Sequence, residues 1–164
     1  MIKKLQVKNS LGFRYGLNQD EIDIDFEKEF NNSSVIAILG ENGTGKSTIL
    51  DFLHPYKDNF LRDPKAGTRS KETFSENFED GTGEKYIEYD LEGDIYAFKI
   101  ILKNKKAKCS IYKNNVSLLN KGTIEKYNEK VIQIFGEKDI FSRTHFRNGK
   151  TSYLCILGKS FFCE

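Results

Sequence analysis

The chain has 164 residues, 30% of them charged, with a net charge of +2 at neutral pH. That length holds one domain with a real core, and the near balance of charge excludes a chain-wide polycation or an acidic tail, so any nucleic-acid contact must be a local basic patch. No run approaches the roughly 18 apolar residues of a membrane span, and Met1-Ile2-Lys3-Lys4-Leu5-Gln6 lacks the apolar region of a signal peptide, so a cytoplasmic protein without membrane attachment is expected.

Ile2 to Val7 and Ile22-Asp23-Ile24-Asp25-Phe26 alternate apolar and polar residues, which predicts two half-exposed strands able to pair antiparallel. Between them, Asn9 to Asp20 reads as turn-rich. Asn31-Asn32-Ser33-Ser34 is a loop leading into Val35-Ile36-Ala37-Ile38-Leu39, a short uninterrupted apolar run suited to a strand buried on both faces.

Gly40 to Ser47 follows and reads G-E-N-G-T-G-K-S, filling every fixed position of the G-x-x-x-x-G-K-[ST] phosphate loop. Ile49, Leu50, Phe52 and Leu53 then suit a helix packed on the preceding strand, stopped by Pro55. Strand, glycine loop and helix occur in the order the chemistry requires. Gly40, Gly43 and Gly45 let backbone N–H groups approach phosphate oxygens where a Cβ would intrude, and the helix start adds partial positive charge. The template assigns Lys46 to the β- and γ-phosphates and the Ser47 hydroxyl to Mg²⁺.

Lys57 to Gly83 is polar, with Phe60, Phe74 and Phe78 spaced through it, and reads as a long, partly mobile loop of the kind that forms lids. Lys85 to Leu91, Ile95 to Lys103 and Lys108 to Tyr112 predict an antiparallel meander, its turns at Glu92-Gly93-Asp94 and Asn104-Lys105-Lys106. Lys99, Lys103, Lys105, Lys106, Lys108 and Lys113 cluster there, a pattern that fits phosphate contacts and equally a solvated edge.

Thr123 caps a helix running to Phe135, with Ile124, Tyr127, Val131, Ile134 and Phe135 on one face and Gly136 as its stop. A basic stretch, Arg143 to Lys150, and an apolar ending, Tyr153 to Glu164, complete the chain. Cys109, Cys155 and Cys163 are an odd set without C-x-x-C spacing, and His54 and His145 stand alone, so buried or incidental thiols are expected and neither a zinc site nor a disulfide framework.

Hydrolysis by a P-loop ATPase needs an Asp ending a second buried strand to hold Mg²⁺, beside a carboxylate that orients water. The nearest candidate, Tyr86-Ile87-Glu88-Tyr89-Asp90, alternates as a half-exposed meander strand does. The fold class expected is therefore α/β, a P-loop NTPase with an antiparallel β-meander packed beside the loop's strand and helix, and only part of a hydrolytic machine.

The succession of an N-terminal strand, Lys8-Asn9 and Phe13-Arg14, a second alternating strand, the loop Gly40 to Ser47 and a meander resembles the N-terminal ATPase lobe of the SbcC-type, SMC-like and RecF-like AAA-family ATPases of DNA repair and recombination. The resemblance covers residues 1–150 as one lobe and sets 151–164 apart as a tail, truncated or frame-shifted, before the coiled coil that separates the lobes in that family. It implies ATP and Mg²⁺ as cofactors, Gly40, Asn42, Gly43, Thr44, Gly45, Lys46, Ser47 and Thr48 around the phosphates, Arg14 beside them, and Asn148 at the place of a glutamine that ligates Mg²⁺. It also implies a homodimer closing on nucleotide, DNA and a nuclease subunit as partners, and hydrolysis only with a second lobe; Val35 to Leu39 is too apolar for an open edge, so parallel strands from that lobe are expected on at least one side of it. Two further readings stand beside it: an ATP- and DNA-binding module that does not hydrolyse, and a small P-loop kinase or other NTPase.

Overall fold

The computed structural model describes residues 1–30, 35–57, 74–120, 122–137, 141, 146–148 and 154–157. Strand β1 (Ile2–Lys8) pairs antiparallel with β2 (Glu21–Asp25), matching the two alternating segments. β4 (Gly83–Leu91), β5 (Asp94–Lys103) and β6 (Lys106–Lys113) form the meander expected from their turns. The two units join because β1 also pairs antiparallel with β4, and with the short β7 (Val116–Ser117) they make one six-stranded sheet in the order β2-β1-β4-β5-β6-β7.

Register decides which side chains share the inner face. Leu5 lies opposite Ile24 and Ile87, Ile87 opposite Phe98, and Phe98 opposite Ile111, so period-two alternation aligns one apolar row across the strands. α4 (Ile124–Phe135) begins where the Thr123 hydroxyl accepts the Lys126 N–H at 3.5 Å, and it buries Tyr127 and Val131 in the same core as expected.

Three elements differ from the sequence expectations. Leu11–Leu17, inside the segment read as turns, is helix α1, with Ser10 before it and Asn18 closing it in the left-handed conformation. A second short helix, α2 (Phe26–Phe30), starts at the last residue assigned to the second strand. Residues 74–81, the end of the segment read as a partly mobile loop, form two 3-10 turns that bury Phe74 and Phe78; residues 58–73 of that segment lie outside the described residues. Aromatic burial explains the order there, since Phe52 stands 6.2 Å from the ring of Phe74 and 5.6 Å from that of Phe78.

The loop's own strand, β3 (Val35–Ile38), lies in a second sheet of order β3-β9-β8, with β8 at Phe146–Asn148 and β9 at Leu154–Leu157. The strand on one edge of β3 is thus antiparallel and comes from the segment set apart as a tail, while the other edge of β3 has no partner among the described residues. Backbone pairing accounts for this: the open edge of an apolar strand needs hydrogen-bond partners, and β9 supplies them along all four residues of β3.

Candidate functional site

β3 delivers the chain to Gly40, and α3 (Lys46–Phe52) starts directly after Gly45. Gly43 and Gly45 have φ of +88° and +78°, the left-handed region that side-chain-bearing residues avoid. At Gly40 the constraint is space, because an added Cβ would lie 2.8 Å from Thr44 Oγ1. The Thr44 hydroxyl donates to the Glu41 carbonyl at 2.8 Å, and the Thr44 N–H donates to the same oxygen at 3.4 Å. Lys46 folds back over the loop, its Nζ donating to Gly40 O at 2.6 Å and to Glu41 O at 2.5 Å. The loop is therefore closed round the ammonium group, whose two carbonyl partners are the kind of oxygen a phosphate can replace.

Asn42 and Ser47 are exposed and Thr48 is half buried. Asn148 is in β8 opposite Leu154, which is itself opposite Ile38; at the usual strand spacing this puts its backbone about 10 Å across the sheet from the end of β3, level with the start of the loop. Arg14 is held elsewhere. Its Nε donates to Asp20 at 2.7 Å and its Nη1 to Glu79.

The helix that carries Arg14 packs on the loop. A Cβ on Gly16 would lie 2.7 Å from Gly43 O and 2.9 Å from Gly45 N, and one on Gly12 would run into the Thr48 side chain, 2.6 Å from Cγ2. Phe13, fully buried, points from the same helix to Phe52 of α3 with ring centroids 5.7 Å apart. Arg14 is two residues from each glycine, about 200° round the helix from Gly12, so it faces away from the loop.

The loop is fixed at its far end as well. After α3 the chain from Leu53 to Tyr56 is buried, and buried carbonyls need donors. Tyr89 Oη donates to Leu53 O at 3.1 Å, Tyr127 Oη to Pro55 O at 2.5 Å, and Lys85 Nζ to Tyr56 O at 3.3 Å. Three side chains from the large sheet and α4 thereby hold the stop of the loop's helix.

A family model described as an AAA domain matches residues 4–158. The chain belongs to the AAA domain family. No curated protein matches it. Membership makes this AAA domain a P-loop NTPase with the nucleotide binding that class implies.

Two further features of the AAA domain bear on chemistry. Glu88 and Asp90 of β4 alternate with Ile87 and Tyr89, which face the core that includes α3; they lie on the opposite face, where Asp90 pairs with Lys3 at 3.8 Å. β4 thus supplies no carboxylate to the loop. Cys109 is buried, and desolvation pushes its thiol up to about 11, so it is not a nucleophile at neutral pH; Cys163 and His145 lie outside the described residues. No helix among the described residues is long and apolar enough to cross a membrane.

Sequence reasoning missed α1 and the core position of Lys85. The glycines that make Asn9 to Asp20 look like turns serve close packing, a use that only the fold reveals. Lys85 was legible in principle, since it precedes Ile87 and Tyr89 at a spacing of two and so shares their inward face.

Proposed function

We propose that this AAA domain is the ATP-binding lobe of an SbcC- or SMC-like ATPase that acts on DNA with a nuclease partner. The observation that carries the reading is Lys46 folded over a glycine loop between strand and helix, with its ammonium on the carbonyl oxygens of Gly40 and Glu41. In this reading, Lys46 exchanges those oxygens for β- and γ-phosphate oxygens. The backbone from Asn42 to Thr48, with Gly40 at its entry, donates N–H groups, and the exposed Ser47 hydroxyl ligates Mg²⁺. Mg²⁺, when bound, supplies charge neutralisation between the two phosphates.

Asn148, level with the loop's start, is the second ligand of the metal's shell in this proposal. Arg14 joins the site only by leaving Asp20 and Glu79, which makes it a residue of the closed, dimeric state. In this reading the Mg²⁺-binding Asp and the water-orienting carboxylate that hydrolysis requires come from a second lobe, so the chain alone should release phosphate from ATP at the background rate. Phosphate release that Lys46→Ala abolishes would contradict this.

The metal assignment is checked by titrating a fluorescent ATP analogue with and without Mg²⁺. Affinity should fall on Mg²⁺ removal in the parent protein and change little in Ser47→Ala. Equal Mg²⁺ dependence in the two would remove Ser47 from the metal shell.

The DNA component rests on the β5–β6 hairpin. Lys99 and Lys113 are neutralised by Glu84 at 2.7 Å and Asp94 at 2.6 Å. Lys103, Lys105, Lys106 and Lys108 are exposed and have no ion pair among the described residues. Four phosphate contacts predict a slope of log K against log salt of about −4 on duplex DNA. Replacing all four by Gln should remove most of that slope, and an unchanged slope would place DNA on another surface.

A further inference from the structure

Glycine is a poor helix former, yet α1 carries two in seven residues, Gly12 and Gly16. Neither has a positive φ, so backbone freedom is not what they supply. One turn apart, they form the stripe that meets the phosphate loop. Any side chain at 16 would meet backbone, the Gly43 oxygen at 2.7 Å and the Gly45 nitrogen at 2.9 Å, whereas one at 12 meets the Thr48 side chain. A side chain can rotate away and a peptide cannot.

The peptide between Gly43 and Thr44 is planar and trans, so its carbonyl and its N–H point to opposite sides. Its oxygen is turned toward Gly16, and its N–H is turned into the loop, toward Glu41 O at 3.4 Å. α1 has no room to retreat: Phe13 is buried against Phe52, Asn18 closes the helix, and Arg14 is tied to Asp20 and Glu79.

We infer that Gly16 is a positioning residue for the phosphate loop, the flat helix surface it creates holding the Gly43–Thr44 peptide with its N–H directed into the loop. α1 is therefore a wall of the phosphate loop. The inference rests on the nucleotide reading for its consequence, since the N–H it aims is one that a phosphate oxygen would accept.

The test compares Gly16→Ala, Gly12→Ala and Tyr15→Ala, the last at an exposed position of the same helix. Two readouts are taken: the amide resonances of Thr44 and Gly45 without nucleotide, and the affinity for ATP with Mg²⁺. Gly16→Ala should shift both amides and weaken ATP binding by about tenfold or more, as overpacking against a fixed backbone does. Its melting temperature should fall, because the cost of overpacking exceeds what alanine gains in the helix. Gly12→Ala should give a smaller loss of affinity, and Tyr15→Ala should match the parent in amides and melting.

Unmoved Thr44 and Gly45 amides in Gly16→Ala would overturn the inference whether or not nucleotide binds. So would parent-like ATP affinity in Gly16→Ala when Lys46→Ala does not bind, a result that leaves the nucleotide reading standing. If moved amides accompany a parent protein that does not bind ATP, the positioning role holds and the nucleotide reading fails. Should Gly16→Ala not fold, Arg14→Gln takes its place by freeing α1 from Asp20 and Glu79: the Thr44 and Gly45 amides should move on that release, and unmoved amides would overturn the inference.

Discussion

Raising the pH from 7 to about 10 should stabilise the folded chain, at up to about 1.4 kcal/mol per pH unit. The source is Lys85, fully buried on the inner face of β4 and lowered to about 7, chiefly by desolvation, with Asp51 opposing the shift. Its Nζ has the Tyr56 carbonyl at 3.3 Å and the rings of Phe52 and Phe74 at 5.9 and 5.8 Å, partners that stabilise the ammonium less than water does.

The sign follows from proton counts. Between pH 7 and 10.5 the unfolded chain holds the lysine proton and the folded chain does not, so removing protons favours the fold. Below pH 7 both states are protonated and the gain is lost. Above about 10 the buried tyrosines reverse the trend: Tyr89 and Tyr127 are raised well above their ordinary value by desolvation, so the unfolded state ionises first. Stability should peak near pH 10. In Lys85→Met the rise should vanish, and stability at pH 7 should exceed that of the parent. Urea denaturation across this pH range measures both, and a parent profile flat from pH 7 to 10 would contradict the burial of an uncharged lysine.

Much of the fold was legible because it depends on short-range pattern. Alternation in Ile2 to Val7 and in the meander, turn residues at Gly93 and Asn104, and the Thr123 cap each have a local cause that survives into β1, β4 to β6 and α4. The succession of strand, glycine loop and helix was legible as far as the candidate site's own residues run, from Val35 to Phe52. What surrounds it was not, because it comes from residues distant in sequence. β9 reaches β3 from beyond residue 150, and α1 reaches the loop from residues 11–17. Gly12 and Gly16 illustrate the difficulty, since a glycine needed for close approach and one needed for a turn look alike in sequence. The join of β1 to β4 likewise pairs segments about 80 residues apart, which no local signal specifies.

In the proposed function Gly40 to Thr48 binds the phosphates of ATP, with Lys46 as the principal cation. Isothermal titration of the parent chain and of Lys46→Ala with ATP and Mg²⁺ tests it most directly. Two charge-assisted hydrogen bonds to phosphate oxygens predict a loss of about 100-fold or more. The fold should be indifferent to the change, because among the described residues Lys46 bonds only to exposed carbonyls of its own loop, and such surface changes alter stability by about 0.5 kcal/mol or less. Saturable binding by the parent and none by an equally stable Lys46→Ala is the predicted result; equal affinity in the two proteins would contradict it.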